Sequence, residues 1–184
     1  MKIKIDLHTH CFEAIGIFSP ESVTPLTVEK IIDSVKRKGL DGIAITEHYE
    51  SYFGFVAQKI VAEYFDNQVL IIPGHEIYYR RRHTVELFLP GNTVFRFLPH
   101  PMDDQIENDF DFGKLHGIEI NNSQYNQSMD KPRIRALAEK HNLILLSNSD
   151  AHNLNDVGYY YNEIDLDDLI NRVRHHTESK VNDC

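Results

Sequence analysis

Several stretches of this chain place histidines and carboxylates at the ends of apolar runs, where they could hold metal ions. The first is Asp6-Leu7-His8-Thr9-His10, after Ile3-Lys4-Ile5. Period-two alternation puts Ile3, Ile5 and Leu7 on one strand face and Asp6, His8 and His10 on the other. Residues two apart on a strand are separated by about 7 Å, so both imidazoles can converge on one ion at the strand end. Three other strand ends repeat the pattern. Glu47-His48 follows Gly42-Ile43-Ala44-Ile45, and His75-Glu76 follows Val69-Leu70-Ile71-Ile72. Asp150-Ala151-His152 ends the run that starts at Leu143-Ile144-Leu145-Leu146. Glu76 could point back toward His8 and His10, which turns His75 away.

Other residues support this set. Pro99 and Pro101 hold the backbone of His100 extended or turned, a rigidity that a core histidine does not need. Asp6, Glu119 and Asn121 could orient a ligand histidine by hydrogen bonding. Glu13 lies three residues past His10. Cys11 is turned away from His10 by strand alternation and reads as a small neighbour of the site. Arg80, Arg81 and Arg82 read either as a solvated turn or as a clamp for an anionic substrate. Tyr49, Tyr52 and Tyr125 fall near strand-end loops and could stack on a base or sugar. His116, His141, His175 and His176 have ordinary explanations as loop, helix-end and tail residues.

The elements that must position these residues alternate strand and helix. Val28, Ile31, Ile32 and Val35 recur at helical spacing, with Thr27 as the expected cap and Gly39 as the stop. A second helix is expected from Phe53 to about Phe65, with Val56, Ile60, Val61 and Tyr64 as its stripe. Pro73-Gly74 should end the third strand in a tight turn. Ile77 to Leu89 reads as a hairpin, followed by strands at Val94–Leu98 and Gly117–Ile120. A helix with Pro132 near its start leads to Leu143–Leu146, an apolar run suited to a parallel strand buried on both faces. A last strand is expected at Tyr159–Tyr161, then a helix from about Asp167 whose end frays from about Arg174. Strand-helix-strand units of this kind place His10 and His48 at one end of a parallel sheet.

At 184 residues the chain reads as one domain, 1–184, long enough to bury a core without disulfides. A formal net charge of -9 argues against a nonspecific nucleic-acid binder. Cys11 and Cys184 do not make a disulfide framework, so a reducing cytoplasm is the expected compartment. Met1 to His10 carries charges and lacks the apolar region of a secretory leader, and no apolar run approaches membrane-spanning length. The sequence sets no oligomeric state.

Taken in order, these motifs resemble the polymerase and histidinol phosphatase (PHP) family over nearly the whole chain. Asp6-Leu7-His8-Thr9-His10, Ile45-Thr46-Glu47-His48, Pro73-Gly74-His75-Glu76, His83 with Val85-Glu86-Leu87-Phe88, Pro99-His100-Pro101, Gly117-Ile118-Glu119-Ile120-Asn121 and Ser149-Asp150-Ala151-His152 carry the resemblance. Glu47 stands where the family more often has aspartate, and Glu86 where it usually has glycine. The resemblance implies a distorted seven-stranded β/α barrel of the PHP type. Ligands spread over almost every strand fit such a closed ring better than one crevice of an open sheet.

It also implies two or three divalent ions, which the donor set leaves open among zinc, manganese and iron. The first would take His8, His10, Glu76 and Asp150. The second would share Glu76 with His83 and His100. The third would take His48, His152 and Glu13. The expected ion spacing is about 3.5–4 Å, that of two-metal sites.

The activity implied is phosphoester hydrolysis by a metal-bridging hydroxide, with Glu76, His10 and His152 as catalytic residues. The acidic chain and single arginine cluster favour a small phosphomonoester over a nucleic acid, which needs a longer basic groove. The alternatives are a nuclease or phosphodiesterase for short nucleic acid, amide hydrolysis, and a non-catalytic module keeping a structural metal.

Overall fold

The computed structural model describes residues 1–79, 82–102 and 111–181. Among the described residues there are eight strands: β1 (Ile3–Asp6), β2 (Gly42–Ile45), β3 (Leu70–Tyr79), β4 (Arg82–Leu89), β5 (Thr93–Leu98), β6 (Gly117–Asn122), β7 (Ile144–Asn148) and β8 (Asn162–Ile164). The helices are α1 (Pro25–Arg37), α2 (Tyr52–Tyr64), α3 (Lys131–Lys140) and α4 (Leu166–Val181). The strands hydrogen-bond in the order β7-β6-β5-β4-β3-β2-β1-β8. β1, β2 and β3 are parallel, as are β5, β6 and β7, while β4 runs antiparallel between the two groups.

The result is a distorted, nearly closed β/α barrel with eight strands rather than the expected seven. At the carboxyl rim the chain past β1 meets the chain past β7. Thr9 bridges Ala151, the Asp150 amide donates to His8 O (2.9 Å), and the His10 amide donates to Ala151 O (3.0 Å). At the other end β8 pairs antiparallel with β1. Asn162 spans the remaining gap, accepting from the Ser147 amide and donating to Ser147 O. The ring therefore closes directly at one rim and through an extra strand at the other.

Apolar side chains of β1, β2, β3, β4, β5 and β7 fill the interior, among them Ile5, Leu7, Ala44, Val85, Leu87, Phe97 and Leu146. Leu169 of α4 is buried against them, with Leu166, Ile170 and Val173 beside it. Outside, α1 and α2 cover Ile43, Ile45, Val69 and Ile71, and α3 covers Ile118, Ile120 and Leu98. Among the described residues no helix is long and apolar enough to cross a membrane.

Five local expectations change. The cap of α1 is Thr24, not Thr27. Thr24 Oγ1 accepts from the Thr27 amide and Thr27 Oγ1 from the Thr24 amide, with Pro25 opening the helix. Gly39, at φ 66°, follows the last turn as expected. Tyr64 is exposed, and Phe53 and Ala57 fill the inner stripe of α2 instead.

β3 does not turn at Pro73-Gly74 but continues to Tyr79, pairing with β4 along its second half. Glycine is needed there for close approach, since a Cβ on Gly74 would stand 2.7 Å from Glu86 O. In β7, Leu145 is exposed, so that strand is buried on one face only. The last strand begins at Asn162, three residues after Tyr159, where the register with Ile5 starts. α4 runs from Leu166 to Val181.

Candidate metal centre

The barrel brings nine expected ligands to one rim. The ends of β1, β2, β5 and β7 deliver His8 and His10, His48, His100, and Asp150 with His152. Because β4 is antiparallel, His83 near its start reaches the same rim, opposite Tyr78 and two pairs beyond the Glu76–Val85 pair. Among the described residues, four groups of histidine and carboxylate offer ligand atoms within 4.8 Å of one another. They are His8/His10/Glu76, His8/His100/Asp150, Glu76/His83/His100 and His10/Glu13/His48/His152.

Glu76 is the shared member. Its Oε2 lies 3.4 Å from His8 Nε2, 3.3 Å from His10 Nε2 and 3.3 Å from His48 Nε2. Its Oε1 lies 2.6 Å from His83 Nδ1 and 3.0 Å from His100 Nε2. Each oxygen therefore faces a different set of imidazoles. Burial would raise the Glu76 pKa, but hydrogen bonds from His10, His100, His8 and His83 outweigh it and hold the carboxyl far below the usual range.

The donor atoms fit a cation. His8 Nε2 and His10 Nε2 face each other at 3.2 Å, and Asp150 Oδ1 stands 3.6 and 3.2 Å from them. Two neutral imidazole lone pairs at that distance repel unless a proton or cation lies with them. His10 Nδ1, His100 Nδ1 and Asp150 Oδ1 are buried without a directional hydrogen bond, and buried polar groups in native proteins are rarely left so. Burial opposes charge on His10, yet the Asp150 and Glu76 carboxylates beside its Nε2 raise its pKa to about 9. The set is thus suited to a positive charge, whether proton or metal.

Glu119 organises the buried side. Its Oε1 lies 3.0 Å from His8 Nδ1 and accepts from Asn148 Nδ2 (2.8 Å). Its Oε2 accepts from the His100 amide (2.7 Å) and Asn122 Nδ2 (2.9 Å). Glu119, expected to orient a ligand histidine, thus lies against His8. Replacing it by glutamine would turn an amide donor toward these donors. Glu119→Gln is expected to weaken metal binding by about 10–100-fold, read by competition with a chromogenic chelator.

Asn121 and Asp6 do not reach an imidazole. A register irregularity between Glu119 and Asn121 breaks the alternation of β6, so Asn122 faces the centre. Asn121 instead donates to Ser147 Oγ and accepts from Lys131 Nζ. β1 ends at Asp6, whose carboxylate accepts from the Ser149 and Gly158 amides and from the Ser149 hydroxyl. It fixes the loop that carries Asp150. Burial raises its pKa to about 6 against these hydrogen bonds.

At the outer edge Glu13 accepts from the His48 amide (2.8 Å) and lies 2.9 Å from His48 Nδ1. Burial opposes its charge, but the His48 contacts hold its pKa at about 2. Glu47 accepts from the Phe12 and Glu13 amides, so the carboxylate next to His48 anchors the Glu13 turn. Burial raises its pKa to about 7.

The remaining candidates sort by strand face. His75 is turned outward onto Glu86, which also binds Arg96, so Glu86 does not crowd the centre. Cys11 is buried against Thr9 Oγ1, away from His10. The β3–β4 register puts Arg82 on the face opposite His83. Arg80 and Arg81 lie outside the described residues. Asn122 and Asn148 were missed, and Glu47 was read only as a strand-end carboxylate. The signal was a polar residue inside or just after an apolar strand.

Three site residues adopt left-handed backbone: Tyr49 (φ 59°), His100 (φ 30°) and Asp150 (φ 54°). Such conformations cost on the order of 1–3 kcal/mol each and gather where function requires them. The Glu119 carboxylate holds His100 through its amide, and Glu76 O accepts from the Tyr49 amide (2.9 Å).

A family model described as PHP-associated matches residues 129–177, the stretch carrying Asp150 and His152. No curated protein matches the chain. Among solved structures it is similar to PsfC from Pseudomonas syringae, at 17% identity over 92% of this chain and 88% of that one, with a TM-score of 0.63. It is similar to a Bifidobacterium adolescentis protein provisionally described as a metal-dependent phosphoesterase, at 13% identity over 91% and 96%, with a TM-score of 0.65. A third likeness is to an amidohydrolase from Chromobacterium violaceum with bound sulfate and no metal, at 16% identity over 91% and 96%, with a TM-score of 0.62. These likenesses establish a shared fold.

Proposed function

We propose that this chain is a metal-dependent hydrolase of the PHP family that releases phosphate from small phosphomonoesters. The observation that carries the reading is Glu76, whose two oxygens face two histidine sets at an open barrel rim. The ligand assignment is the one the family resemblance implies, and the proximities within His8/His10/Glu76, Glu76/His83/His100 and His10/Glu13/His48/His152 support it. His8, His10, Glu76 and Asp150 would hold one ion, and Glu76, His83 and His100 a second. Glu13, His48 and His152 would hold a third. Two or three zinc, manganese or iron ions bound there would acidify a water and neutralise charge on the phosphate oxygens.

The chain's own residues supply access and positioning. The side chains of His48, His83 and His152 are 31%, 32% and 46% exposed, whereas His8, His10 and Glu76 are buried. Substrate therefore approaches over the exposed three. Glu76 fixes both histidine sets, and His10 bonds it from the buried side. His152 Nδ1 lies 3.0 Å from Asp150 O, which leaves Nε2 free to bind an ion or give a proton to the leaving oxygen. A centre open on this side suits turnover better than a structural metal.

The acidic chain and the outward face of Arg82 support a small substrate over a nucleic acid. The buried free thiol of Cys11 suits a reducing cytoplasm. Amide hydrolysis is the second reading, supported by the likeness to an amidohydrolase. A panel of phosphomonoesters, short single-stranded DNA and RNA, and amides, run with each metal in turn, tests both. Phosphomonoesters are expected to show the highest kcat/KM. Faster turnover of an amide or an oligonucleotide would replace this reading.

A further inference from the structure

Three tyrosines stand at the mouth of the centre, each beside one of its histidines. Tyr49 lies 6.3 Å from His48, Tyr78 5.5 Å from His83 and Tyr125 4.8 Å from His100, measured between ring centroids. They come from separate elements: the loop after β2, the outer end of β3 and the turn after β6. Each has a local reason for its position. Tyr49 is held in left-handed backbone by the bond from its amide to Glu76 O, a conformation a bulky residue adopts only under constraint. Tyr78 shares the inner face of β3 with Glu76, two residues on, and pairs with His83. Tyr125 is set by a turn in which Asn122 Oδ1 accepts from the Gln124 and Tyr125 amides.

All three residues are 39–69% exposed. A lone exposed tyrosine is ordinary on any surface. Three around one opening, one of them held in strained backbone, make a surface for a flat apolar group that extends outward from the bound phosphate.

We propose that Tyr49, Tyr78 and Tyr125 form a stacking collar that selects phosphoesters whose alcohol carries a planar ring, a class that includes both aryl-alkyl and nucleoside phosphates. The proposal rests on the phosphoesterase reading for its phosphate anchor. The collar binds the ring of the alcohol while the metal centre takes the phosphate. An arylalkyl chain or a ribose carries the ring clear of the reacting oxygen. Stacking of one ring on aromatic side chains corresponds to a preference of about tenfold or more. Tyrosine supplies such contact with few rotatable bonds to fix.

The test uses matched pairs with the same primary alcohol as leaving group. 2-Phenylethyl phosphate is compared with 2-cyclohexylethyl phosphate, and adenosine 5′-monophosphate with ribose 5-phosphate. The planar member of each pair is expected to have a KM lower by about tenfold with kcat little changed. A preference in the first pair alone identifies aryl-alkyl alcohols, and one in the second alone identifies nucleosides. Calorimetry with the non-hydrolysable 2-phenylethyl and 2-cyclohexylethyl phosphonates on metal-loaded protein provides a readout independent of turnover.

The triple variant Y49L/Y78L/Y125L should lose the preference while keeping its metal content. The corresponding triple phenylalanine variant should keep it. Preferential binding of the planar phosphonate by a protein that hydrolyses no phosphoester would uphold the collar and remove the phosphoesterase reading. Equal KM within both pairs together with equal phosphonate affinities, binding of neither phosphonate, or retention of the preference in the leucine variant would overturn the collar.

Discussion

Glu76→Gln is expected to lose most of its bound metal and to lower kcat/KM by at least about 10³-fold. The substitution keeps the shape of the side chain but removes its charge and replaces one oxygen by an amide. Both oxygens are engaged in the native protein, one toward His8, His10 and His48 and the other toward His83 and His100. Whichever way the amide turns, one histidine set faces a donor in place of a carboxylate oxygen. The effect would then reach both proposed ions, because Glu76 is the residue they would share. Metal-ion assistance is worth several kcal/mol of transition-state stabilisation, and each 1.4 kcal/mol is about a factor of ten.

Elemental analysis after gel filtration and rates on a phosphomonoester read the two losses separately. His75→Ala provides the contrast. It lies one residue away but faces outward onto Glu86, so its metal content should match the native protein. A Glu76→Gln protein with full metal and full turnover would remove Glu76 from the centre.

The parts of this molecule that were legible in sequence are those governed by local periodicity. Gly42–Ile45 reads as a strand to the residue, and His8, His10, His48, His100 and His152 read as candidate ligands from their places at strand ends, whereas His83, at the start of an antiparallel strand, comes only with the family resemblance. A ligand at a strand end needs no knowledge of the strand order, because parallel strands deliver their ends to one rim. What was not legible depends on contacts distant in sequence. Pro73-Gly74 carries every local mark of a turn, yet pairing with β4 carries β3 through it. The irregularity in β6 is set by its register with β7, so Asn121 and Asn122 exchange roles without any mark in their own sequence. Asp6 shares its parity with His8, but its bonds to Ser149 and Gly158 lie 143 and 152 residues away. β8 exists because β1 has an open edge at one end of the barrel, a property of the closed ring rather than of residues 162–164.

Removal of metal is expected to lower the melting temperature by roughly 5–11 °C. The centre is formed by folding, since its ligands come from β1, β2, β3, β4, β5 and the ends of β7, more than 140 residues apart in sequence. An unfolded chain offers no such set, so binding stabilises the native state by RT ln(1 + [L]/Kd), about 2.7 kcal/mol at a free metal concentration of 100 Kd. For a chain of this size one kcal/mol corresponds to about 2–4 °C.

Calorimetric scans of the metal-loaded protein, the chelated protein, and the chelated protein after return of zinc or manganese measure the shift and its reversal. The shift should shrink in Glu76→Gln and persist in His75→Ala. Identical melting temperatures with and without chelator, in samples shown by elemental analysis to differ in metal content, would mean that the centre forms without any energetic coupling to an ion. The convergence of its imidazoles on Glu76 would then need another cause.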